Sequence, residues 1–340
     1  LNYVLPYEGQ ILNEAIIEQI AINLIINKVY CPLYINRTPR LKHILQSDNL
    51  FTISDAKEIM DNSPQNHKEA GFAKGWPSRF DTWYKLPMEL GFIYYEMNKP
   101  IIISTTGHML VDALNETPKN NEKIRNVFLN ALMKYQTNNP FRKNANSNAV
   151  LPLLLKVINL LKSDKSENNA GLFRKEISLL ICWPDNNAVA LYQKIKEIRQ
   201  NYGYNYGDEI IYEHCLNILG ATAEQRNRFK MSYITGEVID EFIRKMRITG
   251  IISLRGNGRF LDFNSFEIDK INYILERYYN YNTYTTKYAY FQYMGEIDSN
   301  ILTKKVIEKN ITDDIKIKTL SRWVKEYSKE SMKPLIFKDK

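Results

Sequence analysis

Residues 238–275 read "VIDEFIRKMRITGIISLRGNGRFLDFNSFEIDKINYIL". Val238, Ile239, Phe242, Ile243 and Met246 recur at helical spacing and form one apolar stripe. "GIISL" then reads as a strand and "RGNG" as a turn. Asn257-Gly258 suits a two-residue type I′ turn, in which both central residues take positive φ. "RFLDF" is the return strand. Asn264 opens a further helix, with Glu267 three residues later as in a capping box. A phosphate cradle would need a helix directly after its glycines, as in GxGxxG or GxxxxGK[ST]. A strand-like run follows "GNG" and the chain has no GK[ST], so the loop reads as the tip of a hairpin.

The same order of helix, glycine, strand, turn and strand occurs in residues 76–114, "WPSRFDTWYKLPMELGFIYYEMNKPIIISTTGHMLVDAL", with a helix beginning near Thr105. Both stretches follow a winged-helix pattern. Between them, "AVLPLLLKVINLLK", the linker "SDKSENNAG" and "LFRKEISLLICW" read as a helix-turn-helix with Gly171 in the turn. Arg174 and Lys175 open its second helix. Pro184-Asp185 and a helix "NNAVALYQKIKEIRQ" follow. Upstream, residues 8–29 read as one amphipathic helix with Ile11, Leu12, Ala15, Ile16, Ile20 and Leu24 on its stripe. Residues 50–63 read as a short helix opened by Ser54. The tyrosine-rich run from residue 278 reads as packing surface rather than a base-stacking platform. Residues 299–331 read as a charged helix carrying Trp323 and Val324.

The expected fold is therefore mostly α with short β-hairpins: several winged-helix or helix-turn-helix-like modules joined by helices. The expected division is an N-terminal unit over 1–115, a central helical module over 116–220, a second winged-helix module over 221–280 and a helical linker over 281–340. A chain of 340 residues is long enough for two or three such units.

The net charge of +8 is compatible with a nucleic-acid partner. Cys31, Cys182 and Cys215 form no CxxC pair, and the four histidines form no HxxxH, which argues against a zinc site or a disulfide framework. The cysteines read as reduced thiols of a cytoplasmic protein. The longest apolar run, "VLPLLLKVINLL", is too short to span a membrane and contains Pro152, Lys156 and Asn159. The sequence starts at Leu1 rather than Met and is expected to be cut from a longer one.

The charge concentrates around the opening stretch. Between residues 221 and 260, eight basic side chains face four acids, Glu224, Glu237, Asp240 and Glu241, a net of +4 and half the excess of the chain. The basic set is Arg226, Arg228, Lys230, Arg244, Lys245, Arg247, Arg255 and Arg259. In a winged helix, the helix before the wing enters the major groove and the wing follows the backbone; arginine suits both roles. Arg244, Lys245 and Arg247 at the helix end and Arg255 and Arg259 at the wing are the leading DNA-contact candidates. Arg226, Arg228 and Lys230 come next, then Arg79, Lys85, Arg174 and Lys175. Each also has an ordinary reading as a solvated surface charge. A metal-dependent nuclease needs an acid followed by (D/E)-x-K on a strand. Asp55-Ala56-Lys57 and Asp314-Ile315-Lys316 match the tripeptide in helical context, and Pro184-Asp185 is followed by a helix. No catalytic residue and no metal ligand is therefore assigned.

In order and spacing, "YKLPMELGFIYYEMNKPIIISTTGHML", "NVFLNALMKYQ", "VLPLLLKVINLLK", "LFRKEISLLICWPDNN", "RFKMSYITGEVIDEFIRKMRITGIISLRGNGRFLDF" and "YAYFQYMG" resemble the AlwI family of type IIS restriction endonucleases and their nicking relatives. The resemblance runs from about Trp76; the first 70 residues match weakly. It implies an N-terminal recognition part that binds a short asymmetric duplex site as a monomer, with any dimer transient and confined to cleavage. It further implies a helical linker and a C-terminal PD-(D/E)xK domain that uses Mg and cuts outside the site. Residues 1 to about 280 would be the recognition part and the remainder the linker. No catalytic residue carries over, because the cleavage domain would lie beyond this sequence. Two rival readings of the same residues are a non-enzymatic winged-helix regulator or replication initiator, and a protein-interaction scaffold.

Overall fold

Asn13 sets the first long helix: its side chain accepts the N–H of Ile16 and caps α1 (Glu14–Ile26). In the computed structural model, which describes residues 1–302 apart from 70, 168–170, 223–225, 227 and 228, α1 therefore starts later than its apolar pattern suggests. Residues 9–12 run alongside the first hairpin instead, with Gly9 N–H donating to the carbonyl of Ile101 (2.8 Å) and Leu12 N–H to that of Lys99 (2.9 Å). Ile11 and Ala15 are consequently exposed, and the buried residues of the helix are Ile17, Ile20, Ala21, Ile22, Leu24 and Ile25. Helices α2 (Tyr34–Arg37), α3 (Pro39–Gln46) and α4 (Ile53–Asp61) complete a small helical unit. Thr52, not Ser54, caps α4, in a capping box with Asp55.

Helix α5 (Trp76–Glu89) leads into the hairpin of β1 (Ile93–Tyr94) and β2 (Ile102–Ile103), and then α6 (Thr105–Asn115), capped by Ser104. α6 lies directly on the hairpin: a Cβ at Gly107 would fall 2.1 Å from the carbonyl oxygen of Phe92. Then come α7 (Asn121–Lys134) and α8 (Val150–Ser163), the latter with nine buried residues, including five of its leucines.

After α8 the expected helix-turn-helix is interrupted. Leu172–Phe173 form β3, which pairs with β5 rather than opening a helix, and α9 (Ile177–Cys182) follows only after a 3-10 turn, Arg174–Glu176. Helices α10 (Ala188–Tyr202) and α11 (Asp208–Ile218) come next, then a π-helical turn Tyr233–Glu237 running into α12 (Val238–Arg247). β4 (Ile252–Arg255) and β5 (Phe260–Phe263) form the second hairpin, with Asn257 at φ 55° and Gly258 at φ 85° in its turn. The sheet order is β3-β5-β4, all antiparallel. A 3-10 turn Ser265–Glu267, with Asn264 accepting the N–H of Phe266, precedes α13 (Ile268–Arg277). α14 (Lys287–Gly295) and α15 (Ser299–Leu302) end the described chain. The architecture is mostly helical with two small antiparallel sheets. The charged stretch 303–331, with Trp323 and Val324, lies outside the described residues.

One core cluster draws residues from Leu90 to Ile301, so α7, α8, α9, α12, both strands of the second hairpin and α14 share it. Two smaller clusters lie under α1, α4 and α5. The tyrosine-rich run serves packing: Tyr290 is fully buried, its hydroxyl accepts the N–H of Gln136, and Tyr284 stacks on Tyr293 at 5.1 Å.

Two buried cations lock this core. Arg199 on α10 donates to both oxygens of Glu176 (2.7 Å each), to Glu167 (2.7 Å) and to the carbonyl of Gly171 (2.9 Å). Burial pushes the Glu176 carboxyl up, and the guanidinium opposes that shift. Lys134 donates from Nζ to the carbonyls of Tyr293 (3.0 Å) and Glu296 (2.6 Å), closing the C-terminus of α14. Burial lowers the Lys134 pKa to about 8.

Arg199→Met leaves Glu176 buried without its counter-ion and is expected to cost about 3–5 kcal/mol in urea unfolding. For Lys134 the native pKa lies below the unfolded one. Between these values the unfolded chain binds more protons, so stability rises with pH. From pH 7 to 9 wild type is expected to gain about 1 kcal/mol relative to Lys134→Met; equal pH slopes would refute this.

Candidate nucleic-acid interface

α12 presents its charged side chains on the side its packing leaves free. Ile239, Phe242, Ile243 and Met246 are buried, which leaves Asp240, Glu241, Arg244, Lys245 and Arg247 exposed. The three basic residues occupy the last turn, where cations also complement the helix dipole. Lys245 pairs with Glu241 at 3.4 Å. Arg244 Nε donates to the main-chain carbonyl of Asp240 at 3.4 Å.

β3 joins this helix to the hairpin. The N–H of Arg174, the residue after β3, donates to the carbonyl of Arg259 (2.7 Å), and the Arg174 guanidinium pairs with Asp240 in the first turn of α12. Arg259 lies over the Phe173 ring at 5.9 Å. Arg174, Asp240, Arg244 and Arg259 thus form one surface, although Arg174 is expected from sequence on a helix of the central module and the other three in the second winged-helix module. Arg244, Arg247 and Arg259 have no carboxylate partner among the described residues.

Arg255 is committed elsewhere. Its Nε lies 2.6 Å from Oδ2 of buried Asp262, which also takes Lys162 Nζ from α8 at 3.1 Å. The Arg255 Nε–H does not point at the carboxylate, so this contact is an ion pair rather than a hydrogen bond. The pairing anchors the hairpin stem and holds half-exposed Arg255 back from its tip.

The other candidates are dispersed. Lys175 pairs with Asp208 at 2.8 Å and donates to the carbonyl of Tyr206. Arg226 pairs with Glu213 at 2.9 Å, Lys230 is exposed, and Arg228 lies outside the described residues. At the first hairpin, Arg79 donates to Gln65 (2.7 Å), Lys85 pairs with Glu69 (3.0 Å) and Lys99 pairs with Glu96. Those ion pairs hold the two carboxyls below the usual carboxylate range. Their cations serve local structure.

The residues missed in the sequence are the two acids, Asp240 and Asp262. Asp240 counted only as opposing charge; its i,i+4 relation to Arg244 was the available signal. Asp262 sits mid-strand in "RFLDF", where a lone acid between apolar neighbours signals a buried partner.

Neither Asp55 of the describable D-x-K tripeptide nor Asp185 after Pro184 belongs to a group placed to hold a metal ion. Asp55 is used by its capping box and by Arg40 (2.5 Å). Asp185 accepts from Trp183 Nε1 and from the N–H of Asn187, organising the start of α10. Asp314-Ile315-Lys316 lies outside the described residues. Among those described, no group of three or more His, Cys, Asp and Glu is placed to hold a metal ion, and no helix is long and apolar enough to cross a membrane.

A solved complex of the BpuJ1 endonuclease binding domain with pyrene- and phenanthrene-modified DNA is 15% identical, with 85% of this chain and 96% of that one covered at a TM-score of 0.45. No curated protein matches. The family model of the AlwI restriction endonuclease matches residues 88–332, nearly three-quarters of the sequence and all of the surface built by β3, α12 and the second hairpin. The chain belongs to the AlwI restriction endonuclease family.

Proposed function

We propose that this chain is the DNA-recognition region of a type IIS restriction endonuclease, with α12 as the helix that enters the major groove and the β4–β5 hairpin as a wing on the backbone. The observation that carries this reading is the surface on which Arg244 and Arg259 lie beside Arg174; these two, and Arg247 in the last turn of α12, have no carboxylate partner among the described residues. Arginine without a counter-ion is the side chain best suited to phosphate and guanine edges. The order helix α8, strand β3, helix α9, helix α12 and hairpin, with the sheet running β3-β5-β4, supports a winged-helix module into which α10 and α11 are inserted. α5, β1, β2 and α6 are read as a second, smaller module whose cations are mostly spent internally. Family membership supports duplex DNA as the partner.

In this proposal the chain binds a short asymmetric site as a monomer. Phosphodiester hydrolysis belongs to a C-terminal Mg-dependent PD-(D/E)xK unit. The acids described here do not fit a Mg site, so no hydrolytic step is derived from them.

Salt titration of duplex binding separates the roles. Arg244→Gln, Arg247→Gln and Arg259→Gln are each expected to weaken binding, and each lost phosphate contact flattens the log–log salt slope by about 0.9. Arg255→Gln should move the slope less, since Arg255 is paired with Asp262. Arg79→Gln should leave it unchanged. A triple Arg244, Arg247 and Arg259 variant with wild-type affinity and slope would overturn the assignment.

Asp262→Ala is expected to act on stability: it strands Lys162 and Arg255, both partly exposed, for about 1–2 kcal/mol in urea unfolding. Loss of DNA affinity without loss of stability would contradict its role as an anchor.

A further inference from the structure

Asp240 is out of place on a surface that attracts phosphate. Its side chain is 58% exposed in the first turn of α12, facing the same solvent as the arginines around it. A carboxylate there opposes the backbone of any duplex that approaches. It also occupies Arg174, which would otherwise be free to take a phosphate. Stability does not require this acid: α12 has a buried apolar face, and an exposed ion pair contributes little. Its position is nevertheless defined, by the Arg174 guanidinium on one side and by the turn that Arg244 Nε braces through the Asp240 carbonyl on the other. Arg174 is itself fixed, because its main chain is bonded to Arg259 across the sheet.

We propose that Asp240 is a specificity-determining residue that accepts a hydrogen bond from the exocyclic amino group of a cytosine, with Arg174 beside it donating to the paired guanine. An ionised carboxylate only accepts hydrogen bonds and a guanidinium only donates them. In the major groove, cytosine presents an N4 donor and guanine presents O6 and N7 acceptors, so an adjacent Asp–Arg pair complements a C·G base pair. Where a thymine O4 or guanine O6 stands in the cytosine's place, acceptor faces acceptor and the complex is penalised. Asp240 therefore lowers affinity for random duplexes and restores it where a base amino group stands at one position, most at cytosine, whose guanine partner offers Arg174 two acceptors where adenine's thymine partner offers one. The inference rests on the interface reading above, since it needs α12 in the groove.

The test uses the full chain, as wild type, Asp240→Ala and Asp240→Asn, with a pool of randomised duplexes as probe. Thermal unfolding is followed to show that the variants remain folded. Wild-type binding with a steep salt slope tests the interface itself. Given that, Asp240→Ala is expected to bind random duplex more tightly, with a log–log salt slope steeper by about 0.9 as Arg174 takes up a phosphate. Its selected sites should lose preference for C·G at one position by about tenfold. Asp240→Asn should share the gain in affinity and keep part of the preference, because its amide oxygen still accepts. A consensus in Asp240→Ala identical to wild type, or weaker binding of random duplex, would overturn the assignment while leaving the interface reading standing.

Discussion

Two residues of strand, Leu172 and Phe173, hold the arrangement together. They pair with Leu261 and Phe260 and so tie the helical block built on α8 to a hairpin formed much later in the chain. The contact is tight: a Cβ on Gly171 would fall 2.7 Å from the carbonyl oxygen of Leu261, which is why glycine stands there. Arg199 fixes the same place from below, holding the Gly171 carbonyl and the Glu176 carboxylate that itself accepts the N–H of Phe173. Without this pairing, Arg174 would not reach Asp240, and α12 and the hairpin would be separate basic elements.

The cations divide into those the fold consumes and those it leaves available. Lys162 and Arg255 share Asp262, and Lys85, Lys99, Lys175 and Arg226 each have a carboxylate. Arg244, Arg247 and Arg259 are exposed with no such partner among the described residues. Net charge does not separate these groups. Which positive charges point at a partner depends on where the acids fall after folding: Asp262 pairs with Arg255 of its own hairpin, whereas Asp240 pairs with Arg174, far upstream in the chain.

Both hairpins and the helices around them were legible because periodicity changes sharply there, from the stripe of 238–247 to the strands around Asn257-Gly258. β3 was not. "LFRKEISLLICW" is apolar enough for a helix, and a two-residue strand exists only because a distant partner supplies its hydrogen bonds. The start of α1 was misjudged for a related reason: residues 9–12 look helical locally but are drawn out along the first hairpin. At the interface, Arg244, Arg247 and Arg259 were named from charge and position. Their convergence with Arg174 was not visible, since it depends on the strand that was missed. The cations of the first hairpin were indistinguishable in sequence from contact residues, because Glu69 and Glu96 reveal their use only as partners in space.

The β3–β5 pairing also bears on how the protein assembles. β4 and β5 meet across a four-residue turn and can form on their own, at the speed of a local hairpin. Leu172 and Leu261, by contrast, stand about ninety residues apart, and closing so long a loop carries an entropic penalty that local contacts do not. Folding of α9 to α12 shortens the intervening chain and lowers that penalty. On a nascent chain, the surface that unites Arg174 with Arg259 cannot exist until the hairpin has left the ribosome.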